Sequence, residues 1–169
     1  MKIKGEKKEK LSEVARCFID GKQKKESKFV IVTGGVGAGK TTLIENKYSE
    51  DFLHFDAELI EKKVKEKFNF KSKEFHRFVL LAGGLILQQV LRSNRNIVIE
   101  VIGNDKDKLE KLIKLIENAG YRVLVEYVEA DPREAYERHL KAVEEDSEYK
   151  SAYYTQDQTI FMVEKFFEI

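Results

Sequence analysis

The apolar run Phe29-Val30-Ile31-Val32 leads through Thr33 into Gly34-Gly35-Val36-Gly37-Ala38-Gly39-Lys40-Thr41, and no other stretch of the 169 residues limits the fold so tightly. The spacing fits G-x-x-x-x-G-K-[ST], and it stands where that pattern works, between a β-branched strand and a helix. Glycines inside the run let the backbone turn sharply, so successive N–H groups can face one phosphate cluster. The helix opening at Gly39 turns its positive dipole end toward the same anion. Lys40 then has the reach for the β- and γ-phosphates, and the Thr41 hydroxyl suits Mg²⁺. Thr42, in the first helical turn, completes the phosphate-binding set. The expectation is a site for a nucleoside triphosphate with Mg²⁺.

Composition sets the frame around that loop. The length fits one core and not two, and with 42% hydrophobic and 36% charged residues the chain reads as an ordinary globular domain. Phe78–Leu87, the longest apolar run, is too short for a membrane span and is broken by Gly83-Gly84. The charged N-terminus lacks the apolar core of a signal peptide, and the single cysteine, Cys17, permits no internal disulfide. These features predict a cytoplasmic protein without a membrane partner. Charge is uneven: residues 1–28 hold ten Lys and Arg against five Asp and Glu, net +5, and residues 29–169 hold 21 against 25, net −4. The sequence therefore divides into a basic N-terminal helix and linker over 1–28 and a main domain over 29–169. No aromatic residues interleave with the lysines for base stacking, so a solvated terminus is favoured over a nucleic-acid arm.

Beyond the loop, strand and helix patterns alternate. Residues 8–20 read as an amphipathic helix with Leu11, Val14 and Phe18 on one face. Strands are expected at Phe29–Thr33, Phe52–Phe55, Ile97–Ile102 and Arg122–Val128. Helices are expected from Gly39, through Leu59, Ile60, Val64 and Phe68, after Ser72, after Asp105, and from Asp131-Pro132-Arg133-Glu134, which supplies a cap, a proline at the first helical position and an early glutamate. This order predicts an α/β fold of three layers with a central, mainly parallel sheet of about four strands, of the P-loop NTPase type. Its site should lie beyond the C-terminal strand ends, where the loop, Asp56, Glu100 and Asp131 converge.

Phosphoryl transfer asks for charge neutralisation and positioning more than covalent chemistry. Asp56 ends the second strand, where a carboxylate can take the proton of an attacking hydroxyl, and it can also cap the following helix. Glu100 is the one charge within Ile97–Ile102 and would be costly there unless hydrogen bonds or cations satisfy it, which suits a role near the metal and substrate. Arg133, Arg138 and Lys141 follow the fourth strand, where a cation can close over the triphosphate. An exposed helix face laced by i,i+4 pairs is the plainer account of them. His54 reads as a packed core histidine without a role.

With its order of Gly34–Thr41, a strand ending at Asp56, Ile97-Val98-Ile99-Glu100, and a strand leading into Asp131–Arg138, the chain resembles the zeta-toxin and polynucleotide-kinase-like branch of small P-loop kinases over residues 29–141. The resemblance implies ATP-dependent transfer of a γ-phosphoryl group to a hydroxyl of a small molecule such as a sugar nucleotide or nucleoside. It implies Asp56 as general base, Glu100 in the substrate and metal region, and Arg138 or a neighbour as the lid cation. Two departures stand out: acidic residues follow the lid cations, and Gln156–Ile169 reads as a helix through Ile160, Val163 and Phe167 where these kinases place a fifth strand. They keep open a regulatory nucleotide-binding module that transfers nothing, and a polynucleotide 5′-hydroxyl kinase is the further alternative. No N/T-K-x-D guanine signature follows the fourth strand, which favours ATP over GTP. An antitoxin-like protein partner could dock on Leu11, Val14 and Phe18.

Overall fold

The computed structural model describes residues 6–18, 27–68, 72–92, 94–103 and 105–145. Its elements in chain order are α1 (Glu6–Cys17), β1 (Lys28–Thr33), α2 (Lys40–Tyr48), β2 (Leu53–His54), α3 (Ala57–Lys67), α4 (Ser72–Arg92), β3 (Ile97–Val101), α5 (Lys106–Asn118), β4 (Arg122–Tyr127) and α6 (Pro132–Glu145). The four strands form one parallel sheet in the order β2-β3-β1-β4, which places the strand feeding the glycine-rich loop inside the sheet with β3 beside it. The expected α/β architecture is the observed one. The C-terminal helix expected over Gln156–Ile169 lies outside the described residues.

Alternation along the strands divides the core in two. Phe29 and Ile31 of β1, with Ile97, Ile99 and Val101 of β3, face a large apolar layer built from α1, α3, α4 and α5. Val30, Val32 and Val98 face the other way, onto Ile44 and Tyr48 of α2. β1 and β3 are buried on both faces, as a central parallel strand requires, whereas β4 is half open to solvent. Tyr121, just before β4, stacks edge-on against Phe29 with ring centroids 6.0 Å apart. Its hydroxyl donates to the carbonyls of Val90 and Leu91 at the end of α4. Burial pushes that phenol up to about 12.

Local signals explain the helix starts. Asp105 caps α5 by accepting from the Lys108 N–H at 3.1 Å. Asp131 caps α6 by accepting from Arg133 and Glu134 N–H at 2.9 and 3.2 Å, with Pro132 at the first helical position. α4 runs through Gly83-Gly84 as one helix, and a Cβ at Gly84 would meet nothing within 4 Å, so Gly84 serves no close approach.

Two expectations need correction. The second strand is shorter than Phe52–Phe55, because only Leu53 and His54 keep a ladder register with Ile97 and Val98. The apolar face of the N-terminal helix is not a docking surface: Leu11, Val14 and Ala15 are fully buried, in the layer that α3 and α4 share. The pattern correctly marks which face is apolar, and that face is covered by the chain itself.

Candidate functional site

β1 ends at Thr33, and the chain then turns through Gly34–Gly39 into α2. Gly37 and Gly39 adopt positive φ, +72° and +96°, where a side chain would be strained. Neighbouring chain also presses on this loop. A Cβ on Gly34 would lie 2.6 Å from the Val128 carbonyl oxygen, and one on Gly37 only 2.1 Å from that of Ala135. Gly34 and Gly37 are therefore needed for contact as well as for turning. Ala38 is buried, and its N–H closes a turn onto the Gly35 carbonyl at 3.2 Å. Gly35 and Thr42 are exposed, Val36 is half-buried, and α2 presents its N-terminus to this hollow.

Lys40 and Thr41 open α2 and meet Glu100. Glu100 is paired in register with Val32 and alternates with Val98 onto the α2 side of the sheet. The Thr41 hydroxyl donates to Glu100 Oε2 at 2.8 Å. Lys40 Nζ lies 3.8 Å from Glu100 Oε1 and donates to the carbonyls of Gly34 and Gly35 at 3.0 and 2.8 Å. The charge expected to be costly in a buried strand is thus satisfied by a hydroxyl and a cation. Burial holds the Lys40 ammonium below the usual lysine range, against the upward pull of Glu100.

Asp56 follows β2. Its Oδ1 caps α3 by accepting from the Glu58 N–H at 2.8 Å. Phe55 N–H donates to the Val98 carbonyl at 2.9 Å, and continuing the His54–Val98 register by two residues brings Asp56 level with Glu100. Because β3 lies between β2 and β1, Asp56 stands two strand spacings from the loop strand, about 10 Å.

Of the three candidate lid cations, the geometry singles out one. Arg138 Nη1 donates to the Gly37 carbonyl at 3.0 Å, while Nη2 pairs with Glu134 at 3.1 Å. Lys141 pairs instead along its own helix with Glu145, and Arg133 is exposed in the first turn. Asp131 is committed to capping. His54 keeps a buried Nε2 with no hydrogen-bond partner among the described residues.

Sequence reasoning missed three supports. Gly103, at φ +68°, follows β3, and a Cβ there would fall 1.8 Å from Thr33 Oγ1, so the chain leaving β3 packs directly on the end of β1 just below the loop. Thr33 itself donates to the Ile102 carbonyl at 3.2 Å. On the far side, Lys47 and Tyr48 at the end of α2 both donate to Glu126 Oε1 of β4. Only Gly103 leaves a trace in sequence, as a glycine directly after an apolar strand.

A divalent cation fits this donor set. Thr41 Oγ1 and Glu100 Oε2 are hard oxygens side by side, and among the described residues no three His, Cys, Asp or Glu gather to make an all-protein site. Mg²⁺ matches such a sparse set, since it keeps waters and phosphate oxygens as its other ligands. No helix among the described residues is long and apolar enough to cross a membrane.

Comparison with known proteins agrees with this fold. The family model described as Zeta toxin matches residues 13–168. Among solved structures, one from a study of the PezAT chromosomal toxin–antitoxin system of the human pathogen Streptococcus pneumoniae superposes with a TM-score of 0.67 at 21% identity. The match covers 86% of this chain and 65% of that one, so the present chain spans just under two thirds of that protein's length. Among curated proteins none matches in sequence. With a glycine-rich loop on an inner parallel strand, a carboxylate beside its Lys-Thr pair, and a family match over nearly the whole chain, the protein belongs to the zeta-toxin family.

Proposed function

We propose that the protein is an ATP-dependent kinase that transfers the γ-phosphoryl group to a hydroxyl of a small acceptor, such as a sugar nucleotide or nucleoside. The observation that carries this reading is the Lys40–Thr41–Glu100 cluster at the mouth of the loop, one strand from Asp56. In this account the amides of Gly34–Thr42 and the α2 dipole hold the phosphates. Lys40 exchanges its two carbonyl partners for phosphate oxygens. Thr41 and Glu100 hold Mg²⁺, which when bound neutralises phosphate charge. Arg138 turns from the Gly37 carbonyl to the transferring group, where developing charge rewards a cation.

Asp56 is the base. Its Oδ1 is used by the α3 cap, and Oδ2 takes the proton from the acceptor hydroxyl. The acceptor's oxygen bonds to the γ-phosphorus as the bond to the β–γ bridging oxygen breaks, and ADP leaves. The roughly 10 Å between β2 and β1 suits the in-line placement of acceptor and γ-phosphate between them. ATP is favoured over GTP, the compartment is the cytoplasm, and a proteinaceous inhibitor is the expected partner, given that the similar structure comes from a toxin–antitoxin system. Such a partner would use surfaces other than Leu11 and Val14, which are buried.

The test is a screen for transfer of labelled γ-phosphate to nucleosides, sugar nucleotides and 5′-hydroxyl oligonucleotides. A labelled small acceptor supports the proposal. A labelled oligonucleotide alone would make the protein a polynucleotide kinase. The Arg138–Glu134 pair, which restrains the candidate lid cation, favours a second reading as a binding module. ATP binding without any labelled product would establish that second reading instead.

A further inference from the structure

Strands of a parallel sheet are normally covered on both faces, and β4 departs from that rule. Among the described residues it is an edge strand, paired to β1 on one side only. Val123, Val125 and Tyr127 stand level with Phe29, Ile31 and Thr33 of β1, on the face that α5 covers. Phe29 and Ile31 are fully buried and Val123 packs against the core, but Val125 is 45% and Tyr127 67% exposed. The apolar layer built over β1 therefore stops partway across β4. Past that limit an apolar strip continues along the strand for roughly 20 Å. Apolar side chains adjacent on one face, unlike a single exposed one, mark a surface that takes an apolar partner.

We propose that this strip is the seat of the chain's own C-terminal segment, residues 156–169, laid along β4 beside α5 with Ile160, Val163 and Phe167 against Val125 and Tyr127. Four observations choose this occupant. Seven of the ten residues 160–169 are apolar, which makes their exposure to water costly. The family match runs to residue 168, so the segment belongs to the same unit as β4 and does not merely trail from it. Size fits as well: as a helix, residues 156–169 run about 21 Å, the length of the strip. Reach is sufficient, because the fourteen residues of α6 carry the chain about 21 Å from β4, and residues 146–155 can span roughly 33 Å on the way back. A second copy of the chain could present the same apolar surface, but a tethered segment meets β4 at a far higher effective concentration.

The test is the rate at which a maleimide labels position 125 in the full chain carrying Val125→Cys, with the labelled peptide identified by mass spectrometry so that Cys17 is counted separately. Labelling should be slow. Adding Val163→Asp and Phe167→Asp should release the segment and speed labelling about tenfold or more, with the protein monomeric throughout by sedimentation. Thermal melting reports whether each variant folds, and Tyr127→Cys replaces Val125→Cys should that one fail. Fast labelling before the aspartates are added overturns the proposal, and so does slow labelling that they leave unchanged. Slow labelling that quickens on dilution, in a chain that sediments as a dimer, overturns it in favour of a second copy.

Discussion

Lys40 shows how the site's chemistry works against the empty fold. Its ammonium is 3% exposed and held below the ordinary lysine range by burial. A lysine whose folded value is depressed binds fewer protons folded than unfolded between that value and 10.5, so stability rises with pH across that window. Urea titrations from neutral pH upward should therefore show wild type gaining on Lys40→Met as pH approaches 10.5; a constant difference would contradict the burial account. The same substitution should abolish measurable ATP binding at neutral pH. Gly103 offers a prediction of another kind. Gly103→Ala must place a Cβ at positive φ and against Thr33 Oγ1, and should cost about 1–3 kcal/mol in chemical denaturation. Residue-scale legibility follows from locality. Asp105 and Asp131 are readable as caps because the groups they bind lie within three residues. The contacts Gly103–Thr33 and Gly37–Ala135 join residues far apart in sequence, and nothing local announces them.

Among the elements, β4 and α4 are joined through Tyr121, whose hydroxyl reaches the last carbonyls of α4. Tyr121→Phe keeps the ring on Phe29 and deletes the hydroxyl bonds, at an expected cost of about 0.5–1.5 kcal/mol near neutral pH. The phenol's folded value, about 12, lies above the ordinary 10.0, so its contribution is whole below pH 10 and is lost as pH rises toward 12. Denaturation of the two proteins across pH 8 to 11 should show the gap closing above pH 10, and a gap that widens would contradict the assignment. Strands and helices were legible because hydrophobic period and cap residues agree with each other. β2 is shorter than its apolar run, since the apolar character of Phe52 and Phe55 says nothing of how many residues a neighbouring strand can pair. Phe55 is instead fully buried in the helix layer.

At the level of the whole molecule, α1 belongs to the core. Leu11→Ala or Val14→Ala should lower stability by about 1–5 kcal/mol, as core truncations do, measured by the shift in urea midpoint. A shift within experimental error would return the helix to the surface. Deleting residues 1–28 removes the same packing, so the basic arm is better probed by neutralising its lysines. Amphipathic period identifies an apolar face, but which surface covers it is decided by the whole chain. The strand order β2-β3-β1-β4 likewise emerges only in three dimensions, and it is what brings Asp56, Glu100 and the loop into one row. The central claim is that this row transfers phosphate, with Asp56 as the proton acceptor. Asn caps helices as well as Asp, so Asp56→Asn leaves the start of α3 supported and removes only the base. Single-turnover transfer of labelled γ-phosphate to the best acceptor, measured beside ATP affinity, tests the claim most directly. The account predicts a fall in transfer of about 100-fold or more with ATP affinity unchanged, whereas transfer at the wild-type rate in Asp56→Asn would contradict it.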